Sequence, residues 1–151
     1  MKLSELFFRD DQSRFCAADS PEKLPGYRKK SFSLPYAGDE IWFEHLDGIY
    51  QYTELALSKL EADSGEFLSL SKPSQIGFVL DETVVTLELA ERIAGLLCGG
   101  KKKFTRVCFI GTNRQIERLL RSALSGKSDF AFAFINDFDR AKDWLVSEDF
   151  R

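Results

Sequence analysis

The residues able to do chemistry in this chain are few, and their spacing favours a polar rim over a catalytic centre. Asp81, Glu82, Thr83, Gly111, Thr112, Asn113, Asn136 and Asp137 all follow directly on apolar runs. In an open α/β sheet such positions fall where strands end and helices begin, and backbone amides and helix dipoles point outward there. A rim of this kind can hold a small polar or anionic ligand, or serve as a docking edge. The plainer reading is that each residue caps a helix or makes a turn. Gly111-Thr112-Asn113 is the most suggestive stretch. Neither Gly-x-Gly-x-x-Gly nor Gly-x-x-x-x-Gly-Lys-Ser/Thr occurs, so nucleotide binding has no specific support. Asp81 and Asp137 have the chemistry of an acid pair for Mg²⁺, but no lysine stands at the end of the last apolar run.

Other reactive side chains read more simply as structure. The chain has 1 histidine, His45. A general base needs a partner and a nucleophile, and no Gly-x-Ser-x-Gly elbow is present. His45 beside Trp42 and Phe43 is expected to be a half-buried strand residue. Cys16, Cys98 and Cys108 lie far apart with no C-x-x-C, which indicates neither zinc nor a disulfide framework. Cys108 sits inside an apolar run and is expected to be a small buried hydrophobe. Arg114, Arg118 and Arg121 fall at i, i+4 and i+7. With Lys101-Lys102-Lys103 they could bind phosphate groups or an acidic partner. As a solvated face partly neutralised by Glu117 they need no ligand.

The elements that must position the rim follow from periodicity. Residues 41–46 read as a strand stopped by Asp47-Gly48. Thr53 is placed to cap a helix to about residue 62, and 63–75 is mostly connection, with one extra turn or short strand at 67–70. A second strand, 76–80, ends at Asp81-Glu82. Thr86 caps a helix from Leu87 to Cys98, where Glu88 can pair with Arg92, and Gly99-Gly100 stops it. A third strand covers 104–110. Thr112 and Gln115 have capping-box spacing before a helix with Ile116, Leu119, Leu120 and Ala123 on its apolar stripe. A fourth strand, 130–135, alternates phenylalanine and alanine, and Asp137 caps a last helix to about residue 147. Ahead of these, Ser31-Phe32-Ser33-Leu34 reads as an edge strand ended by Pro35. Leu3, Leu6, Phe7 and Phe15 could form a short amphipathic helix. Phe7, Phe8, Trp42 and Tyr50 could form an interface.

Strands apolar on both faces, alternating with helices of about 10–12 residues, indicate a largely parallel sheet covered by helices. The expected fold is α/β: a single mixed, mostly parallel sheet of about five strands alternating with about four helices, with residues 1–30 as an arm on a domain spanning 31–151.

The run 41–145 resembles the SpoIIAA-like, or STAS-like, superfamily of small α/β domains. The carrying segments are Asp47-Gly48-Ile49-Tyr50, Ile76-Gly77-Phe78-Val79-Leu80-Asp81, and Thr105-Arg106-Val107-Cys108-Phe109-Ile110-Gly111-Thr112-Asn113. To these is added the ending Asn136-Asp137-Phe138-Asp139-Arg140-Ala141-Lys142-Asp143-Trp144-Leu145, with its Ala-x-x-Trp-Leu pattern. The resemblance implies a mixed sheet with helices and no catalysis. Its best-known members act as anti-sigma-factor antagonists, which bind a partner around the second helix N-terminus and are switched there by serine phosphorylation. This chain departs from that turn. After Asp81 it reads Glu82-Thr83-Val84-Val85-Thr86-Leu87, without serine or glycine, so only Thr83 or Thr86 could accept phosphate.

The functional expectation is a regulatory domain without catalysis or cofactor. It would recognise a protein partner, or itself, through Asp81, Glu82, Thr83, Thr86 and the helix that follows. The alternative is a small anionic or apolar ligand held by Gly111, Thr112, Asn113 and Asp137. A net charge of −3 gives no reason to expect nucleic acid. The apolar runs fall well short of the roughly 20 residues of a membrane span. Residues 1–10 meet charge too soon for a secretory leader, so the expected location is cytoplasmic.

Overall fold

The computed structural model describes residues 24–71 and 74–147. Strands β1 (Phe32–Tyr36), β2 (Asp39–His45), β3 (Gln75–Val79), β4 (Arg106–Ile110) and β5 (Ala131–Phe134) form one sheet in the order β1-β2-β3-β4-β5. β1 runs antiparallel to β2, and every other neighbouring pair is parallel. Helices α1 (Pro25–Arg28), α2 (Thr53–Phe67), α3 (Leu87–Cys98), α4 (Arg114–Leu124) and α5 (Phe138–Val146) complete an α/β fold. α1 is one helix more than the sequence pattern indicates. β3 and β4 are buried along their whole length, which explains why, after Gln75 and Arg106 at their starts, their sequences run apolar without alternation.

The sheet separates two cores. On one face Trp42, Ile76, Phe78, Val107 and Phe109 pack against Leu60 and Phe67 of α2, Leu89, Ile93 and Leu97 of α3, and Ile116 and Leu120 of α4. The rings of Phe78, Phe109 and Phe134 stack across β3, β4 and β5 at 5.5 and 5.3 Å. On the other face Ile41, Phe43, Val79, Cys108 and Ile110 meet Ala141 and Leu145 of α5. Gly77 makes this second core possible. A Cβ there would stand 2.7 Å from the Phe43 ring, so the missing side chain lets that ring lie across β3 and reach Phe138, 4.5 Å between centroids. Burying such a ring contributes about 2 kcal/mol.

Several local expectations are corrected. α2 does not stop near residue 62 but runs through Asp63-Ser64-Gly65 to Phe67. Ser64 Oγ donates back to the Glu61 carbonyl at 2.8 Å. Phe67 is buried against Trp42 and Phe104, a gain that exceeds the roughly 1 kcal/mol cost of a helical glycine. Thr53 is the first helical residue rather than the cap, which is Tyr52 without a side-chain bond. The Thr112–Gln115 capping box does not form: Asn113 Oδ1 accepts from the Ile116 amide at 2.9 Å, one residue later. Arg92 pairs with Glu61 on α2 at 3.1 Å rather than with Glu88 on its own helix. Pro35 lies inside β1, opposite Glu40, a position open to proline on an edge strand. Trp42 belongs to the core at 2% exposure and is no interface residue. The expected helix around Leu3–Phe15 and the aromatics Phe7 and Phe8 lie outside the described residues. Of the arm, Leu24 is buried, and Gly26 sits so close to the Asp47 carbonyl that a Cβ would stand 2.3 Å from it.

Candidate functional site at the carboxyl ends of the strands

Because β2 to β5 are parallel, their following loops leave the sheet at one end. Two of these loops are sewn together. Leu46 N–H donates to the Val79 carbonyl, Gly48 N–H to Asp81, Tyr50 N–H to Glu82 and Val84 N–H to Tyr50, all at 2.8–3.0 Å. Thr83 is the rivet: its Oγ1 donates to the Leu46 carbonyl and accepts from the Ile49 amide at 3.1 Å. The seam holds two non-glycine residues in the left-handed region, Tyr50 at φ 56° and Glu82 at φ 58°. Each such residue costs about 1 kcal/mol that the surrounding bonds must offset. The Tyr50 hydroxyl donates to Glu82 Oε2 at 3.1 Å. Just beyond the seam, Thr86 Oγ1 accepts from the Leu89 amide at 3.2 Å and caps α3. Leu87, the first residue of that helix, is 57% exposed. Exposed acids surround it in sequence: Asp81, Glu82, Glu88 and Glu91.

The other half of the lip is bound by Asn136. Its Oδ1 accepts from the Gly111 and Thr112 amides at 3.0 Å each, and its Nδ2 donates to the Thr112 carbonyl at 3.1 Å. Gly111 has φ +81°, and a Cβ there would lie 2.3 Å from the Asp81 carboxyl carbon. Glycine is therefore what lets the Asp81 side chain cross the β4–α4 turn and join the two halves. Asn113 caps α4. Asp137 caps α5, its Oδ1 accepting from Asp139 and Arg140 amides at 2.9 and 3.3 Å.

The expected rim residues thus share one end of the sheet, but not one role. Asp81, Glu82, Asn113, Asn136 and Asp137 are exposed. Thr83 and Thr112 are buried at 6% and 8% exposure, which corrects their placement at a contact surface. Thr83 spends its hydroxyl on two backbone groups, and Asn113 spends its carbonyl oxygen on a cap. Thr112 Oγ1 is buried without a hydrogen-bond partner. Sequence reading missed the Tyr50–Glu82 pairing, because a left-handed tyrosine or glutamate carries no compositional signal of the kind that glycine gives.

A second polar cluster, also unforeseen, lies at the edge of the α2 core. Glu44 is wholly buried, and its Oε1 accepts from the Trp42 indole at 2.9 Å. Its Oε2 has no hydrogen-bond partner, and the negative charge of nearby Asp63 opposes a second one on Glu44. Burial, reinforced by Asp63, pushes up the Glu44 carboxyl to about 9. Ser31 Oγ ties the cluster to β1: it donates to Asp63 at 2.8 Å and accepts from Lys59 Nζ at 3.0 Å and His45 N–H at 2.9 Å. Lys59 also pairs with Asp63 at 3.0 Å. Burial alone would raise Asp63, but hydrogen bonds from Glu44, Lys59 and Ser31 outweigh it and hold the carboxyl low.

The remaining candidates resolve as structure. The His45 ring is stacked on Phe32 and lies 3.0 Å from Asp47 Oδ1, with Lys29 2.9 Å from the other oxygen. Burial opposes ionisation of Asp47, and these two partners overcome it, leaving its pKa below the usual range. Burial pushes up the Cys108 thiol to about 12. The basic residues do not converge: Lys102 donates to the Leu70 carbonyl, Lys103 pairs with Asp129 at 3.6 Å, and Arg121 lies over the Phe132 and Phe134 rings. Among the described residues, no group of three or more His, Cys, Asp or Glu is arranged to hold a metal, and no helix is long and apolar enough to cross a membrane. Compared with known proteins, the chain matches no family model, no curated protein and no solved structure.

Proposed function

We propose that this chain is a non-catalytic regulatory domain of the STAS-like kind, acting in the cytoplasm, that docks a protein partner on the lip formed by Tyr50, Asp81, Glu82 and the start of α3. The single observation that carries the reading is the Tyr50–Glu82 seam. Two left-handed non-glycine residues are kept at a cost, bonded backbone to backbone and side chain to side chain, beside an apolar side chain left in water. Strain of this kind persists where a surface must be presented in one shape. Leu87 flanked by carboxylates suits a partner that offers an apolar pocket rimmed by basic groups. Thr83 is riveted inside the seam, so a phosphate switch at that position would break the lip rather than decorate it.

The reading is tested by purifying the protein with whatever it retains from its own cells, then comparing Leu87→Asp and Glu82→Gly with Lys101→Ser, a surface change remote from the lip. The Glu82→Gly change relieves the backbone and removes the Tyr50–Glu82 side-chain bond, and an unchanged circular dichroism spectrum checks that the variant is folded. Loss of a stoichiometric partner in both lip variants, with retention in Lys101→Ser, supports docking there. Equal retention in all three refutes it.

A second reading rests on Thr112 Oγ1, buried without a bond beside Gly111 and Asn113. There a small polar molecule would supply the missing partner. A metabolite screen by thermal shift checks this, since a ligand at 100 times its Kd stabilises by about 2.7 kcal/mol. A shift abolished by Thr112→Val would favour the pocket over the docking surface.

A further inference from the structure

Two neighbouring helices carry opposite charges that nothing within the chain neutralises. α3 and α4 touch and cover the same face of the sheet. On α3, Glu88, Glu91 and Gly95 follow at i, i+3 and i+7 and are all exposed, so they share one outward stripe. On α4, Arg114, Arg118 and Arg121 follow at i, i+4 and i+7 and are likewise exposed. Arg92, the only base on α3, is paired with Glu61, and Arg121 lies over the Phe132 and Phe134 rings. Glu88, Glu91, Arg114 and Arg118 are left. Among the described residues none of these four side chains makes an ion pair or hydrogen bond. Two features disfavour the helices and have no use inside one copy. Arg114 opens α4, where a cation opposes the helix dipole, and it repels Arg118 one turn on. Gly95 lies within α3, where alanine would favour the helix, and a Cβ there would meet nothing within 4 Å. Bare backbone at that point suits another helix pressing on α3 from outside.

We infer that the partner met by the start of α3 is the α4 stripe of a second copy, the two chains joining as a symmetric dimer with α3 of each laid over α4 of the other. A two-fold axis running along the groove between the two helices brings this about. It carries the acidic stripe onto the basic one and the basic onto the acidic, and the contact closes on itself. An axis across the helices would instead set acid on acid and base on base. Glu88 and Glu91 then face Arg114 and Arg118 twice over, and Gly95 lets the backbones approach. Because Leu87 and Glu88 also belong to the lip, this pairing rests on the reading of the lip as a docking surface. Helices of 12 and 11 residues present strips about 18 Å long and about 10 Å wide. They bury less than the roughly 1,200 Å² of a stable complex, so the dimer is weak. Its exposed ion pairs make it sensitive to salt.

The test follows the full chain by sedimentation over a concentration series, for wild type and for two charge-reversed variants. One is Glu88→Arg with Glu91→Arg, the other Arg114→Glu with Arg118→Glu. Wild type is expected to dimerise reversibly, and more weakly as salt rises from about 50 to about 500 mM. Each variant alone sets like charge on like at both contacts and should dimerise at least about tenfold more weakly. Mixed one to one, the variants should form a heterodimer of wild-type strength, since every contact again joins acid to base. Circular dichroism separates a lost contact from a lost fold. Should a double change unfold the chain, the single changes Glu91→Arg and Arg118→Glu give the same pattern at smaller amplitude. A monomeric wild type overturns the inference. So does a variant that dimerises alone as tightly as wild type, or a folded pair that fails to recover on mixing. A monomeric wild type whose position 87 still crosslinks to another protein overturns only this pairing and leaves the lip reading standing.

Discussion

Replacing Glu44 by glutamine should flatten the pH dependence of this protein's stability. In the unfolded chain the carboxyl ionises near its ordinary value of 4.5, whereas in the fold it is held to about 9, first by burial and then by Asp63. Between those values the folded protein keeps a proton that the unfolded chain releases. Stability is therefore fully present below about pH 4.5 and falls as pH rises towards 9. The slope has an upper bound of about 1.4 kcal/mol per pH unit, or about 4 kcal/mol between pH 5 and pH 8. Asp47 and Asp63 are shifted the other way, so their stabilisation is lost only as pH falls below the usual carboxylate range, outside this window. Glutamine copies the protonated acid. Its oxygen keeps the bond from the Trp42 indole, and its amide can donate towards Asp63. Urea unfolding at a series of pH values should show wild-type stability declining from pH 5 to 8 and Glu44→Gln nearly level, with the variant the more stable at pH 8. Parallel profiles would mean that Glu44 ionises freely in the fold, and the buried-proton account would be wrong.

Other perturbations follow from the same geometry. Thr83→Val leaves the Leu46 carbonyl and Ile49 amide without their partner and should cost about 2 kcal/mol in chemical denaturation; a neutral result would mean the seam does not depend on that hydroxyl. Gly77→Ala drives a methyl into the Phe43 ring and should lower stability by about 1–3 kcal/mol, seen as a reduced Tm with unchanged secondary structure. Cys108, buried and with its thiol raised to about 12, should resist alkylation in the native state and react once denatured, as mass spectrometry of the labelled peptide would report.

The alternation of strands and helices was legible because 76–80 and 107–110 are unbroken runs without a polar side chain and because Thr86 and Asp137 cap the helices they precede. The end of α2 was not, since Asp63-Ser64-Gly65 looks like a break and only the remote rings of Trp42 and Phe104 explain why Phe67 stays helical. The lip was legible as a place, because parallel strands send their loops to one end. Its chemistry was not. Whether Thr83 faces solvent or rivets two loops depends on a contact 37 residues away in the chain. Glu44 was invisible for the same reason: a glutamate between Phe43 and His45 reads as a solvent-facing position until α2 brings Lys59 and Asp63 over it. Thr112 and Asn113 differ by one residue, yet that step decides which side chain caps α4.

The most direct measurement for the docking surface is site-specific photo-crosslinking in the cells that make the protein, with the reactive group placed at Leu87 and, as a control, at Phe32. Both positions are exposed, but Phe32 belongs to the β1 edge. A discrete adduct from position 87, absent from position 32 and lost when Glu82→Gly is added, is the expected result. Adducts of equal yield from both positions, or none from position 87, would contradict a partner seated at the start of α3.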